Sequence, residues 1–124
     1  MMPASSAAPA AEILVVDDDP EVRDAICDVL EDEGFRVQRA ANGQEALTRL
    51  ALELPSAIVL DLTMPVMDGH AFLQARARDP RLRRIPVIVV TASMSPEISN
   101  DVQLVRKPID VDALVEAVRA HTRP

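Results

Sequence analysis

A chain of 124 residues, 48% of them hydrophobic, is long enough for one domain around one buried core. Its formal net charge of −7 argues against non-specific binding of nucleic acid, which depends on Lys and Arg neutralising phosphates. A single cysteine, Cys27, excludes a disulfide within the chain and fits a reducing compartment.

The start of the chain differs in composition from the rest. Residues 1–11 are Met, Ala, Ser and Pro without charge, and we expect a flexible tail ahead of a domain at residues 12–124. The tail lacks the basic start and continuous apolar stretch of a signal peptide. No stretch of the sequence approaches the roughly 20 apolar residues that span a bilayer. We therefore expect a cytoplasmic protein.

Strands and helices alternate along the first half of the domain. An apolar strand at residues 13–16 precedes a helix with apolar residues at helical spacing. A second strand at residues 35–40 leads to a helix that Asn42 caps and Glu45 completes as a capping box. The apolar stripe predicted for that helix is Ala46, Leu47, Leu50 and Leu54.

The alternation continues through a third strand at residues 57–60, a loop at residues 64–69 and another helix. The residues of that helix expected to face the core are Phe72, Leu73 and Ala77. The fourth strand, residues 87–90, follows a basic segment that we interpret as a solvated loop, with docking of an acidic partner as the second interpretation. Its arginines are Arg76, Arg78, Arg81, Arg83 and Arg84.

The last part of the chain predicts a short connection and a final strand and helix. Ten residues, 92–101, separate Thr91 from a fifth strand at residues 102–106. Parallel connections normally need about 10–12 residues or more, so the fourth helix should be short or irregular. Asp110 then caps the last helix.

This alternation predicts right-handed crossovers and a parallel sheet covered by helices on both faces. Five strands and about five helices fit a flavodoxin-like three-layer α/β fold with strand order 2-1-3-4-5. The switch point of that order lies between the first and third strands, where such folds place their sites.

Polar residues stand where four of the strands end. Asp17 and Asp18 follow the first strand, Asp61 the third, Thr91 the fourth and Lys107 the fifth. Because parallel strands end at the same edge of a sheet, these side chains should converge. Carboxylates, a hydroxyl and an ammonium group together indicate a metal-assisted phosphorylation of an aspartate.

Asp61 is the candidate nucleophile, since a carboxylate can attack phosphorus and form an acyl phosphate. It must stay ionised beside Asp17 and Asp18, and close carboxylates raise one another's pKa unless a cation neutralises them. Oxygen ligands with room for water suit Mg²⁺. Solvated caps at strand ends are the alternative interpretation, which three carboxylates at one switch point disfavour.

Four motifs in this order resemble the receiver domain of response regulators in two-component and phosphorelay systems, over residues 12–121. They are VVDDDP at 15–20, DLTMPVMDG at 61–69, Thr91-Ala92 and Lys107-Pro108. The resemblance implies a phosphoacceptor Asp61 and a histidine kinase or histidine phosphotransfer protein as donor. The implied Mg²⁺ ligands are Asp18 and Asp61 directly, Asp17 through water and Thr63 through its backbone carbonyl.

The resemblance also implies roles for three residues beyond the metal ligands. Thr91 would contact the phosphoryl group and act as the switch, and Lys107 would hold phosphoryl oxygens with its ammonium. The bond between Lys107 and Pro108 would be cis. Ala92 is small and would leave access for a phosphodonor.

Two departures from the family concern signal output. Leu104 stands where the family usually has an aromatic residue three positions before the lysine, which alters the switch position. Thr91 and Lys107 are 16 positions apart, which is shorter than in most relatives by more than a helical turn. The family's usual output surface is therefore not carried over to this chain.

The leading hypothesis is a single-domain receiver that catalyses only its own phosphorylation and dephosphorylation. It would signal through protein–protein contact, without binding nucleic acid or membrane directly. The alternative is a receiver-like module that binds partners independently of phosphorylation, motivated by Leu104 and the short connection.

Overall fold

The computed structural model describes residues 11–62, 67–92 and 102–122 as strands alternating with helices. The strands are β1 (Glu12–Val16), β2 (Arg36–Ala40), β3 (Ala57–Asp61), β4 (Val87–Thr91) and β5 (Gln103–Arg106). The helices are α1 (Pro20–Asp32), α2 (Gly43–Leu52), α3 (Gly69–Arg78) and α4 (Val111–Thr122).

The five strands form one parallel sheet of order β2-β1-β3-β4-β5, so the predicted flavodoxin-like α/β topology is confirmed. Val16 pairs with Leu60, and Asp61 in turn pairs with Val90. The ends of β1, β3 and β4 therefore lie side by side, and the switch point falls between β1 and β3. Both β2 and β5 begin one residue later than predicted.

The sheet is buried on both faces because its central strands are apolar at nearly every position. All five residues of β3 and all five of β4 are buried. Successive residues of β1 point to opposite faces, so Ile13 and Val15 join one core cluster and Leu14 and Val16 join the other. Continuous apolar runs are what two-sided burial requires of parallel strands.

Side-chain caps fix where two of the helices begin. The Asn42 side chain accepts a hydrogen bond from the Glu45 N–H at 2.9 Å, and the Glu45 carboxylate accepts one from the Ala41 N–H at 3.0 Å. Asp110 accepts a hydrogen bond from the Ala113 N–H at 3.1 Å. The predicted caps at Asn42 and Asp110 are confirmed.

Two predictions of helix faces are wrong. Ala77 is exposed, and its neighbour Arg76 is buried with 4% of its surface accessible. Arg76 lies four residues after Phe72 and so shares its face, and its Nη2 donates to the Ile85 carbonyl at 2.9 Å. Leu54 is 46% exposed because α2 ends at Leu52.

Some predictions fall outside the described residues. The short connecting helix would lie within residues 93–101, and nearly all of the predicted tail lies within residues 1–10. Among the helices of the described ranges, none has the length and apolar character needed to cross a bilayer.

Candidate functional site

A cleft of about 620 Å³ lies at the edge of the sheet where β1, β3 and β4 end. Its lining residues are Asp17, Asp18, Asp19, Asp61, Thr91, Ala92 and Lys107. Six of the eight predicted site residues therefore meet in one cleft. Of the other two, Thr63 lies outside the described residues and Leu104 lies elsewhere on β5.

The turn from β1 into α1 fixes the first two carboxylates. The Asp17 N–H donates to the Ala40 carbonyl of β2 at 3.1 Å, and the Asp17 Oδ1 accepts from the Asp19 N–H at 2.9 Å. Asp19 is the N-cap of α1, and its side chain accepts from the Glu21 N–H at 2.9 Å. Asp19 thus caps a helix, and Asp17 and Asp18 are left facing the cleft.

Three carboxylates converge at this point. One oxygen each from Asp17, Asp18 and Asp61 lies within 4.8 Å of the other two. Asp17 is 1% and Asp61 6% exposed, whereas Asp18 is exposed. The Oδ2 atom of Asp17 is buried without a hydrogen-bond partner among the described residues. Since buried carboxylate oxygens are rarely left unsatisfied, this donor set fits a hard divalent cation such as Mg²⁺.

The electrostatics of Asp17 support the same interpretation. Burial raises the pKa of the Asp17 carboxyl above its ordinary value, and the charges of Asp61 and Asp18 raise it further. The hydrogen bond from the Asp19 N–H and the charge of Lys107 act in the opposite direction. Without a cation, ionisation of Asp17 is therefore less favourable in the folded protein than in the unfolded chain.

Lys107 brings a positive charge to the same cleft from β5. Its Nζ lies 3.7 Å from the Asp61 Oδ1. The Lys107 N–H donates to the Thr91 carbonyl at 2.8 Å, and the Lys107–Pro108 peptide bond is cis. Thr91 is 3% exposed. A carboxylate, a hydroxyl and an ammonium group thus face one space.

Two glycines allow the chain to pass close to itself near Asp61, and neither role was predicted from the sequence. A Cβ on Gly69 would lie 2.7 Å from the Asp61 carbonyl oxygen and 2.6 Å from the Leu62 Cα. The Gly69 N–H donates to the Leu62 carbonyl at 2.9 Å. At Gly43, the N–H donates to the Met67 carbonyl at 3.0 Å. The Asp68-Gly69 pair that follows the strand-end residue Asp61 was the signal in the sequence that could have indicated this close approach.

Arg23 also supports the site, and its role was not predicted from the sequence. Its Nη1 donates to the Asp17 carbonyl at 3.0 Å, so its guanidinium braces the turn that carries the acidic cluster. Arg23 stands four residues after the cap Asp19, and this spacing returns a long side chain over the helix start. The spacing was visible in the sequence, but the direction of the side chain was not.

Leu104 packs away from the cleft. It pairs with Val89 in the sheet, is partly buried, and contacts the core cluster that contains Phe72. Its place as the altered switch position stays a prediction.

Comparison with known proteins places these features in a family context. The sequence profile of the response regulator receiver domain matches residues 13–119. Response regulator Rre1 of Synechocystis is 39% identical over 114 residues, which cover 86% of this chain and 49% of that protein. The chain therefore spans about half the length of Rre1.

Two solved structures are similar over most of the chain. The signal receiver domain of a signal transduction histidine kinase from Syntrophus aciditrophicus has a TM-score of 0.85 and 33% identity, covering 91% of this chain and 90% of that one. Chemotaxis response regulator CheY4 of Vibrio cholerae has a TM-score of 0.82 and 28% identity, covering 90% and 98%.

Proposed function

This chain belongs to the response regulator receiver family of two-component signalling, and we propose that its Asp61 accepts a phosphoryl group from a histidine kinase or a histidine phosphotransfer protein. The observation that carries the proposal is the position of Asp61. Its carboxylate is buried between two further carboxylates and the Lys107 ammonium, at the open edge of the sheet.

The acidic cluster supports Mg²⁺ as the cofactor. Asp18 and Asp61 would hold it directly and Asp17 through water, with the carbonyl of Thr63 as the remaining protein ligand. Such a water or ion would satisfy the buried Oδ2 of Asp17, which has no hydrogen-bond partner in residues 11–62, 67–92 and 102–122. When bound, Mg²⁺ neutralises the carboxylates and the charge on the phosphoryl oxygens.

The chain's own residues then perform the transfer. An Asp61 oxygen attacks phosphorus, the new O–P bond forms, and the P–N bond to the donor imidazole breaks. Lys107 attracts the phosphoryl oxygens with a compact positive charge. Thr91 and Ala92 line the cleft, and we expect the Thr91 hydroxyl to donate a hydrogen bond to one of these oxygens and the small Ala92 to leave the approach open.

The donor protein has an apolar surface available beside the acceptor. A groove of about 330 Å³ runs between α1 and α4 and reaches Lys107. Its other lining residues are Val22, Ala25, Ile26, Val29, Pro108, Ile109, Val111 and Leu114. A helix packed into this groove would bring its own phosphorylated histidine toward Asp61, which supports a helical donor protein.

We propose that output passes through protein–protein contact and that the chain turns over no substrate besides its own phosphoryl group. Phosphorylation adds charge at the edge of the sheet and can bias a conformational equilibrium. The alternative is a module that binds partners without phosphorylation. The acidic cluster and Lys107 are both present, and they do not favour this alternative.

Intact mass after incubation with Mg²⁺ and a small phosphodonor tests the proposal. The wild type should gain the mass of one phosphoryl group, and Asp61→Asn should gain none. Asp28→Asn is the matched control, because Asp28 is an exposed carboxylate on α1 and should leave the gain unchanged. Chelation of Mg²⁺ by EDTA should abolish the gain.

A folded wild type that binds Mg²⁺ but gains no mass would count against phosphorylation. So would an equal gain in Asp61→Asn, since the phosphoryl group would then be on another residue. The first result would favour the phosphorylation-independent alternative, and the second would call for a search for the residue that is phosphorylated instead.

A further inference from the structure

The turn between α3 and β4 concentrates positive charge on an acidic protein. Residues 78–84, here called the arginine turn, contain four arginines and one aspartate and so carry a charge of +3. The rest of the chain therefore carries −10 of the total of −7. The four arginines, Arg78, Arg81, Arg83 and Arg84, are all exposed.

Internal contacts hold the backbone of the arginine turn in place. Leu82 is 4% exposed and anchors the turn in the core. The Asp79 carboxylate accepts from the Arg81 N–H at 2.9 Å, and the Asp79 carbonyl accepts from the Arg83 N–H at 2.9 Å. From beneath, the buried Arg76 donates to the Arg83 carbonyl at 3.2 Å. The exposed guanidinium groups are thus presented on a fixed backbone.

Most of this charge is left without a partner in the described part of the chain. Arg81 lies 3.4 Å from Asp79, which is a short-range pair within the turn. In residues 11–62, 67–92 and 102–122, no carboxylate is within ion-pair distance of Arg78, Arg83 or Arg84. Like charges so close repel one another, and an anionic ligand would relieve that repulsion.

We infer that the arginine turn is a docking surface for an acidic peptide segment of a partner protein. Guanidinium groups match carboxylates in paired hydrogen bonds, and a preformed backbone lowers the entropy lost on binding. A short segment fits better than a nucleic acid or a membrane, because the strongly negative remainder of the protein would repel an extended polyanion.

The arginine turn is separate from the phosphoacceptor cleft. It precedes Val87 at the start of β4, whereas Thr91 at the end of β4 lines the cleft. At about 3.3 Å per residue, the strand holds the two surfaces on the order of 13 Å apart. A peptide on the arginine turn therefore leaves Asp61 open, and the two functions can be tested independently.

Fluorescence anisotropy with a short labelled peptide of alternating Glu and Gly measures the interaction, with a Gln-Gly peptide as the uncharged reference. The test protein is the Arg78→Gln, Arg83→Gln and Arg84→Gln triple variant. The matched control replaces three other arginines, Arg36, Arg49 and Arg119, by Gln and reaches the same net charge. Circular dichroism and the Asp61 mass gain establish that all three proteins are folded.

We expect the triple variant to bind the acidic peptide about tenfold more weakly than the wild type, as three weak ion pairs together would give. The control variant should lose far less, and added salt should weaken the wild type. Equal binding by the wild type and the triple variant would overturn the inference, as would an equal loss in the control. Tighter binding of anionic vesicles or duplex DNA than of the peptide would also overturn it.

Discussion

Alanine at Gly69 should destabilise the protein, although alanine is the better helix former. Gly69 is the first residue of α3, where the intrinsic preference for alanine over glycine is up to about 1 kcal/mol. Against this, the added Cβ would lie 2.6 Å from the Leu62 Cα and 2.7 Å from the Asp61 carbonyl oxygen. Both are backbone atoms, so no side-chain rotation relieves the contact, and overpacking of this kind costs about 1–3 kcal/mol.

Set against the helix preference for alanine, the contact predicts a net loss of about 1 kcal/mol, which with a urea slope of about 2 kcal/mol/M lowers the unfolding midpoint by about 0.5 M. Because the chain has no tryptophan or tyrosine, far-ultraviolet circular dichroism is the appropriate probe. The same displacement moves the backbone of Asp61, so phosphate acceptance should fall as well.

Gly34→Ala serves as the comparison. Gly34 has a φ of +97° and open space around its missing Cβ, so alanine there costs about 1–2 kcal/mol of backbone strain. That loss should leave phosphate acceptance unchanged, because Gly34 is far from the cleft. A Gly69→Ala protein at least as stable as the wild type would refute the packing argument.

Asp17→Asn should stabilise the metal-free protein at neutral pH, because burial raises the pKa of Asp17 and its charge is unfavourable in the fold. In urea titrations across pH, the advantage should be absent below the ordinary aspartate pKa, grow as the pH rises from there, and be complete above the raised pKa of the folded state. Arg76→Ala should cost about 2–4 kcal/mol by leaving buried carbonyls unpaired, whereas exposed Arg78→Ala should cost under about 0.5 kcal/mol. The Cys27 thiol is buried with a pKa raised to about 11, so an aromatic disulfide reagent at neutral pH should modify it only as the protein unfolds.

Each of these outcomes has a clear opposite. An Asp17→Asn protein that is less stable than the wild type at every pH would indicate that Asp17 contributes to stability mainly through its hydrogen bonds. Equal losses in the Arg76 and Arg78 variants would remove the bracing role of the buried guanidinium. Thiol modification at the same rate with and without urea would contradict the burial of Cys27.

The fold was predictable because its signals are local and repeated. Apolar runs alternating with amphipathic segments indicated the parallel sheet, and Asn42 and Asp110 marked helix starts through their own side chains. The strand-end residues Asp17, Asp61 and Lys107 were predictable as one cleft, since the geometry of parallel strands alone brings them together.

What escaped prediction depends on partners distant in sequence. Arg76 looked like a surface residue, because the adjacent sequence does not show that its guanidinium would donate to the carbonyl of Ile85, nine residues later. Ala77 and Leu54 were assigned to the core by helical spacing, but Arg76 occupies the buried position next to Ala77, and Leu54 lies beyond the end of α2. The close approach of Gly69 to Asp61 likewise joins residues eight positions apart and is set by the folded backbone.

The edge strands β2 and β5 carry arginines that affect how readily two copies of the protein associate through their sheets. On β2 the side chains of Arg36 and Arg39 are 63% and 39% exposed, and on β5 Arg106 is exposed. A strand from a neighbouring molecule would have to align its backbone beside these cations, which is unfavourable between like edges. The arginines therefore disfavour intermolecular strand addition at both edges of the sheet.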